Sequence, residues 1–273
     1  MIFYFSGTGN SQMVAQMIAK NLQDKMVPMV KAINSGERLH YTLQENEHLI
    51  FVFPVYAWAP PQIVLEFIQR LTIEVIDNQP LSVIVTCAKT QGNTINVIKK
   101  ALKKKGLTLT SAYLLKMPNN YNIIGYVDSP SIIRNKLSKS KVQVEEIIEH
   151  LMGHSKGEIS IDQERCAILK TAFGGFLLNQ FATNTKLFAA NDDCIRCQVC
   201  EKICPSRCIT VIEKPIWRDK CHHCLACLHY CPKSAIQYGN HMGKKARYTN
   251  PIIPWYELNQ EKDFTKDDHY VLD

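Results

Sequence analysis

The chain has 273 residues, of which 46% are hydrophobic and 21% charged, and its net charge is +7 at neutral pH. A chain of this length and composition can bury a full hydrophobic core and form one large or two modest domains, which excludes disorder as its main state. No run of about 18 apolar residues is free of polar interruptions, so we expect no membrane span. The N-terminus lacks the pattern of a signal peptide, and we expect a cytoplasmic protein.

Predicted strands and helices alternate along the first half of the chain. Apolar runs bounded by turn residues predict strands at residues 2–5, 26–32, 49–55, 81–87 and 109–115. Apolar residues at helical spacing predict helices at residues 9–22, 61–71, 93–105 and 132–151. This alternation predicts an α/β fold, a doubly wound five-stranded parallel sheet over residues 1–152, whose ligands bind at the carboxyl ends of the strands.

A loop of small residues joins the first predicted strand to the first predicted helix. Its residues are Ser6, Gly7, Thr8, Gly9, Asn10 and Ser11. Backbone amides at such a junction bind phosphate, and the side chains can donate further hydrogen bonds. No lysine follows the last glycine, and Gln12 replaces the third glycine of a dinucleotide fingerprint. The loop therefore predicts a site for a terminal monophosphate such as that of FMN.

Two further loops are expected at the same edge of the sheet. Tyr56, Ala57 and Trp58 follow the third predicted strand. Cys87, Ala88 and Gly92 follow the fourth. An aromatic face here can stack on a flavin ring, although ordinary packing under the Pro-Pro turn explains either aromatic residue alone.

Residues 1–152 resemble the flavodoxin family. The SGTGNS sequence of the loop matches that family's FMN-phosphate motif, and the two later loops match its ring-binding loops by position only. The resemblance implies a flavodoxin-like domain that binds FMN through the residues named above.

Nine of the eleven cysteines lie between Cys194 and Cys231. Short-spaced cysteines in a cytosolic protein are typical of metal ligands. Two motifs share the spacing Cys-x-x-Cys-x-x-Cys-x-x-x-Cys-Pro, and each cysteine of the first recurs 27 positions later in the second. Structural zinc uses four thiolates in two pairs, so this repeat favours iron–sulfur clusters.

Residues 192–238 resemble the bacterial two-cluster ferredoxins, which implies a small α+β domain over residues 191–240. The resemblance implies that one [4Fe–4S] cluster binds Cys194, Cys197, Cys200 and Cys231. It implies that the other binds Cys221, Cys224, Cys227 and Cys204. Cys208 has Ala235 at its repeat position and is predicted to be a buried packing residue. His222 and His223 are expected to be solvated.

Two segments carry no recognisable chemistry. Residues 153–190 hold apolar residues in a helix-like setting and are predicted to connect the two domains. Residues 241–273 are predicted to be a C-terminal tail that packs back across a domain.

The basic excess lies before residue 191, where 20 lysine and arginine residues face 14 acidic ones; residues 191–273 carry 12 against 11. The densest run, between Lys99 and Lys105, ends at Gly106 and is typical of a helix C-terminus. It is not the basic stripe with interleaved aromatics that nucleic-acid binding needs. We expect redox proteins as partners, acidic carriers among them; the oligomeric state stays open.

The two resemblances together indicate an electron-transfer protein that relays electrons between two [4Fe–4S] clusters and FMN in anaerobic redox metabolism. No catalytic acid–base pair or nucleophile is evident, so the sequence favours an electron carrier over a substrate-specific oxidoreductase. Two alternatives remain. One is a flavin-dependent reductase of a small molecule fed by the clusters, and the other is a ferredoxin attached to a flavin-free scaffold domain.

Overall fold

The computed structural model describes residues 1–45, 47–74, 79–153, 185–243 and 245–258. Its N-terminal half contains five parallel strands: β1 Ile2–Tyr4, β2 Met26–Pro28, β4 Leu49–Pro54, β6 Leu81–Cys87 and β7 Ser111–Lys116. They form one sheet in the spatial order β2-β1-β4-β6-β7. The predicted α/β fold with a five-stranded parallel sheet is confirmed.

The middle of the sheet is apolar because helices cover both of its faces. Strands β4 and β6 pair in parallel from Leu49 opposite Leu81 to Pro54 opposite Thr86. All seven residues of β6 are buried, as are the first five of β4. Strands that are buried on both faces lose the alternation of apolar and polar residues, which is why these strands are continuous apolar runs in the sequence.

Five helices belong to this half: α1 Asn10–Leu22, α2 Met29–Asn34, α3 Gln62–Arg70, α4 Thr94–Lys103 and α5 Pro130–Met152. Helix α4 starts near the carboxyl end of β6 and returns toward the amino ends of the strands. There Thr110 donates its backbone N–H to Leu81, the first residue of β6. The lysine run that ends at Gly106 therefore forms a helix end on the edge opposite the loops predicted to bind flavin.

The segment predicted as one strand over residues 26–32 divides in the structure. Strand β2 ends at Pro28, and Met29 begins α2. Proline has no N–H to donate to a strand ladder and is well suited to the start of a helix. A short parallel pair that the sequence did not predict, β3 His40–Thr42 with β5 Thr72–Glu74, lies outside the main sheet.

The cysteine-rich part of the chain is built from two antiparallel pairs and two short helices. The elements are β8 Phe188–Ala190 with β11 Ile236–Tyr238, β9 Ile209–Val211 with β10 Pro215–Trp217, and the helices α6 Val199–Lys202 and α7 Ala226–Tyr230. Strand β8 pairs here although the sequence placed residues 188–190 in the connecting segment. Residues 154–184 of that predicted segment lie outside the described residues.

Residues 245–258 of the predicted tail pack back onto the parallel-sheet domain. The carboxylate of Glu257 accepts hydrogen bonds from Gln12 at 3.3 Å and Gln16 at 2.8 Å, both in α1. Within the described ranges, no helix is long and apolar enough to cross a membrane.

Candidate functional site

The loop of residues 6–11 lies where it was predicted, at the junction of β1 and α1, and its last two residues form the start of α1. Gly9 precedes the helix with φ +94°, a left-handed conformation that glycine adopts without strain. Its backbone N–H donates to the Ser6 hydroxyl at 3.1 Å. The loop thus brings its backbone to the N-terminus of a 13-residue helix, which is the local geometry that an anion site needs.

The cysteine-rich part and the C-terminal segment cover this loop. A Cβ atom at Gly7 would lie 2.8 Å from the carbonyl oxygen of Cys224. A Cβ atom at Gly9 would lie 2.8 Å from the Cβ atoms of both Asn250 and Ile253. The backbone N–H of Asn250 donates to the carbonyl of Thr8 at 2.8 Å. The two glycines therefore allow the later part of the chain to pack directly on the loop backbone.

The polar side chains of the loop have partners within the chain. Asn120 donates to the Thr8 hydroxyl at 2.7 Å, and the hydroxyls of Ser11 and Thr86 lie 2.8 Å apart. The Asn10 side-chain oxygen accepts from the Tyr248 hydroxyl at 2.6 Å and from Asn250 at 3.2 Å. The loop fits a phosphate by composition and position: the Thr8 hydroxyl accepts from Asn120 and can still donate to a phosphate, whereas the Asn10 amide group already donates to the Pro118 carbonyl at 3.3 Å.

Asn120 also joins the loop to helix α7. Its carbonyl oxygen lies 2.6 Å from Nε2 of His229, whose Nδ1 accepts the Tyr248 backbone N–H at 3.1 Å. Because Nδ1 accepts, Nε2 is the nitrogen that donates. Burial lowers the pKa of His229 to about 4, so the ring is neutral. A neutral histidine thus connects the cysteine-rich part to the parallel sheet through defined hydrogen bonds.

The two loops predicted to bind the flavin ring lie together at the carboxyl edge of the sheet. Residues 56–59 form a tight turn in which Ala57 and Trp58 are left-handed and Tyr56 and Ala59 exchange backbone hydrogen bonds. A Cβ atom at Gly92 would clash with that of Trp58, whose side chain is 40% exposed. The structure therefore brings together the loops after β4 and β6.

Cys87 and Ala88 also lie at this edge. Cys87 is the last residue of β6 and is buried. The carbonyl of Ala88 accepts from the Lys136 ammonium at 3.3 Å. With these two, all twelve residues predicted to bind FMN lie in loops, at strand ends or in the first turn of α1 at one edge of the sheet.

Four cysteines surround the first of two pockets in the cysteine-rich part. The outer pocket, as we name it, is lined by Cys194, Cys197, Cys200 and Cys231. Cys197 is exposed, and Cys194 and Cys231 are partly exposed. Burial raises the pKa of the Cys200 thiol to about 12, and the neighbouring sulfur of Cys197 contributes to the rise.

Four other cysteines surround the inner pocket: Cys204, Cys221, Cys224 and Cys227. All but Cys221 are buried. Burial raises the pKa values of the Cys224 and Cys227 thiols well above their usual range. In each pocket one cysteine comes from the other motif, which is the grouping that the ferredoxin resemblance implies.

The two motifs share one backbone conformation. Left-handed residues occur in the first motif at Arg196, Gln198 and Arg207. They recur 27 positions later at His223, Leu225 and Ser234. Each fourth cysteine also has an equivalent neighbour: the Ala235 N–H donates to the Cys231 sulfur at 3.3 Å, and the Cys208 N–H interacts with Cys204. The sequence repeat is therefore a structural repeat that turns backbone donors toward cysteine sulfurs.

The donor set of each pocket fits a [4Fe–4S] cluster. Within the described part of the chain, no three or more His, Cys, Asp or Glu side chains form a group that could hold a single metal ion. Thiolates that bind a four-iron cluster contact different iron atoms, so they lie further apart than ligands that share one ion. Positive iron would also offset the cost of ionising buried thiols.

Cys208 and His223 have contacts that the sequence did not predict. Cys208 is buried as predicted, but its sulfur lies 3.6 Å from that of Cys204, and this contact lowers the pKa of Cys204. His223 was expected to be solvated and is buried, with Nδ1 3.2 Å from the Tyr121 hydroxyl. Tertiary packing against Tyr121 and Phe188, which the motif spacing does not encode, explains the burial of His223.

A comparison with known protein families gives a match in the N-terminal region. Residues 1–117 match the family model described as a flavodoxin domain. A candidate flavoprotein from Bacteroides uniformis ATCC 8492 is 14% identical, with 42% of this chain and 88% of that chain covered and a TM-score of 0.32. The flavodoxin of Streptococcus pneumoniae TIGR4 is 13% identical, with 56% and 97% covered and a TM-score of 0.34. No curated protein matches the chain. The N-terminal region of this chain is a flavodoxin-like domain.

Proposed function

We propose that the chain is an electron-transfer protein of anaerobic redox metabolism that holds two [4Fe–4S] clusters and FMN. The observation that carries the proposal is the contact between Gly7 and Cys224, because it places a four-cysteine pocket directly against the loop that resembles an FMN-phosphate motif. The outer pocket would hold one cluster and the inner pocket the other. FMN, when bound, supplies chemistry that accepts one or two electrons.

The exposure of the cysteines supports an order for the relay. Cys197 of the outer pocket is exposed, whereas Cys224 and Cys227 of the inner pocket are buried beside the flavodoxin-like domain. A partner protein would therefore exchange electrons at the outer pocket, and the inner pocket would stand between it and the flavin site. In this role the protein residues bind, orient and insulate the redox groups.

A second candidate is a two-cluster electron carrier whose flavodoxin-like domain binds no flavin. The hydrogen bonds that join this loop to Asn120 and Tyr248 favour it, because later parts of the chain already pack on the loop. In this case the loop would serve as the surface on which the cysteine-rich part docks.

Anaerobic purification followed by flavin, iron and sulfide analysis tests both candidates. Four iron and four sulfide per cluster, with one FMN per chain, would support the relay. Full iron and sulfide with no flavin would establish the second candidate instead. Iron absent, or recovery of FAD, would contradict the cofactor assignment of the first.

A further inference from the structure

Two buried hydrogen-bond donors, the Tyr56 hydroxyl and the Trp217 indole nitrogen, lie beside the inner pocket. Within the described residues the hydroxyl has no hydrogen-bond partner, and the sulfur of Cys227 is the one group with which the indole nitrogen interacts. Buried polar groups nearly always have hydrogen-bond partners. A buried donor without one therefore indicates that a bound group supplies the acceptor. The two donors come from different parts of the chain, Tyr56 from the flavodoxin-like domain and Trp217 from the cysteine-rich part.

Tyr56 faces the inner pocket across Gly7. Its ring packs edge-on against Phe5, with ring centroids 6.1 Å apart. A Cβ atom at Gly7 would lie 2.7 Å from the Tyr56 hydroxyl oxygen and 3.3 Å from the Cβ of Cys224. A side chain at position 7 would fill the space between the Tyr56 hydroxyl and Cys224. Because residue 7 is glycine, the hydroxyl and Cys224 can both pack against its Cα. The Tyr56 hydroxyl also interacts electrostatically with Cys224 and Cys221.

Trp217 lines the inner pocket directly. Strand β10 carries it, and its ring stacks on Phe188 with an interplanar angle of 14° and centroids 5.4 Å apart. This stacking fixes the indole plane, and the indole nitrogen interacts with the Cys227 sulfur. The donor is thus held near a cysteine of the same pocket that Tyr56 faces.

Thiolate and sulfide sulfurs accept hydrogen bonds, and such bonds are one of the means by which a protein sets the potential of an iron–sulfur cluster. Reduction adds negative charge to the cluster, and a donor hydrogen carries partial positive charge. A donor beside the sulfurs therefore stabilises the reduced cluster more than the oxidised one, which raises the reduction potential.

We propose that the Tyr56 hydroxyl and the Trp217 indole N–H donate hydrogen bonds to sulfur atoms of a cluster in the inner pocket and raise its reduction potential. The inference rests on the proposed function, because it requires that the inner pocket holds a cluster. Tyr56 then acts as a positioning and tuning residue supplied by the flavodoxin-like domain to the cysteine-rich part. Among the residues that line the outer pocket there is no tyrosine or tryptophan, so its cluster provides an internal reference.

The test compares Tyr56→Phe and Trp217→Phe with the parent protein. Each holoprotein is purified anaerobically, its iron and sulfide are measured, and its clusters are titrated with a reductant while electron paramagnetic resonance spectra are recorded. We expect full iron in both variants and a lower potential for one cluster only. A tenfold change in the reduction equilibrium corresponds to about 59 mV for one electron, and we expect a shift of that order.

Tyr113→Phe is the matched control. The Tyr113 hydroxyl is likewise buried, but Tyr113 lies in β7, where its hydroxyl interacts with Ser111 and its ring neighbours His150 rather than a cysteine. It should leave both potentials unchanged. A Cys231→Ala background, which removes a cysteine of the outer pocket, identifies the signal that belongs to the inner cluster.

The outcomes separate this inference from the function on which it rests. Unchanged potentials in Tyr56→Phe and Trp217→Phe with full iron would overturn the inference and leave the two-cluster function intact. Equal shifts of both clusters, or a shift in Tyr113→Phe, would overturn it as a general structural effect. Absence of iron and sulfide from the parent protein would overturn both.

Discussion

The Tyr248 hydroxyl donates a hydrogen bond of 2.6 Å to the side-chain oxygen of Asn10. Tyr248 belongs to the C-terminal segment, and Asn10 is the first residue of α1. This bond therefore holds the C-terminal segment against the loop that is predicted to bind phosphate. Both residues are buried. The same Asn10 oxygen also accepts from Asn250, which means that one loop residue anchors two residues of the segment.

Tyr248→Phe should therefore lower the free energy of unfolding. Loss of one buried hydrogen bond costs about 1 kcal/mol, and the Asn250 contact keeps Asn10 partly satisfied. Urea unfolding followed by circular dichroism measures the change. Tyr256→Phe, which removes a hydroxyl from a half-exposed side chain, is the control. Equal stability of the Tyr248 and Tyr256 variants would show that the bond contributes nothing.

Much of the first domain could be predicted from the sequence because its elements are local patterns. The run at residues 81–87 matches β6 to the residue, and the small-residue loop lies at the predicted strand–helix junction. The partners of that loop could not be predicted, because Asn120 and Tyr248 are more than 100 residues away and nothing near them in sequence marks them for it.

The cysteines illustrate a different limit. Their spacing shows the repeat, but spacing alone does not tell which cysteines share a pocket. The exchange of Cys204 and Cys231 between the motifs was implied by a family resemblance, and the pockets group these residues in the same way. The burial of His223 and the approach of Tyr56 to Cys224 depend on tertiary packing, which no local pattern encodes.

The crossed grouping makes a reciprocal prediction about single cysteine variants. Cys204→Ala should damage the cluster of the inner pocket, and Cys231→Ala the cluster of the outer pocket, with about half of the iron lost in each case. Iron analysis together with electron paramagnetic resonance spectra distinguishes the two remaining clusters. The prediction fails if both variants retain the same cluster.

Cys208→Ala should keep both clusters. Its sulfur lies near Cys204, so it is the one neighbouring thiol in the described residues that could replace a ligand of the inner pocket. Its repeat position is occupied by Ala235, which is also buried, so the fold accepts a small apolar side chain there. Iron and sulfide contents equal to those of the parent are expected, and loss of about half of the iron would show that Cys208 is a ligand.

Thr8→Ala should weaken FMN binding if the Thr8 hydroxyl, which accepts from Asn120, donates its own hydrogen to the phosphate. Loss of one hydrogen bond of about 1 kcal/mol corresponds to roughly fivefold in the dissociation constant. Thr110→Ala is the matched control, because that hydroxyl bonds the backbone of Leu81 at the opposite edge of the sheet. Flavin fluorescence titration of the flavin-free protein measures both. An unchanged dissociation constant for Thr8→Ala would mean that this hydroxyl makes no contact with the phosphate.

An acidic redox partner would be steered by basic residues that lie near the proposed point of electron exchange. Lys103 and its neighbours lie at the edge opposite the flavin loops, whereas Arg196 and Lys233 line the outer pocket beside exposed Cys197. Steering acts on the encounter rate and weakens as salt shortens the Debye length, to about 8 Å at physiological ionic strength. We therefore expect electron transfer with an acidic ferredoxin to slow as salt rises.

Lys233→Glu should slow this transfer by about tenfold at low salt and have little effect at high salt, because it reverses a charge at the proposed point of exchange. Lys103→Glu makes the same change in charge at the far edge and should leave the rate unchanged. Stopped-flow reduction across an ionic-strength series measures both variants, and a potential measured for the outer cluster separates steering from a change in driving force. Transfer rates that change neither with salt nor in Lys233→Glu would contradict the steering proposal. Slower transfer in Lys103→Glu would instead indicate that the partner binds at the lysine-rich helix end.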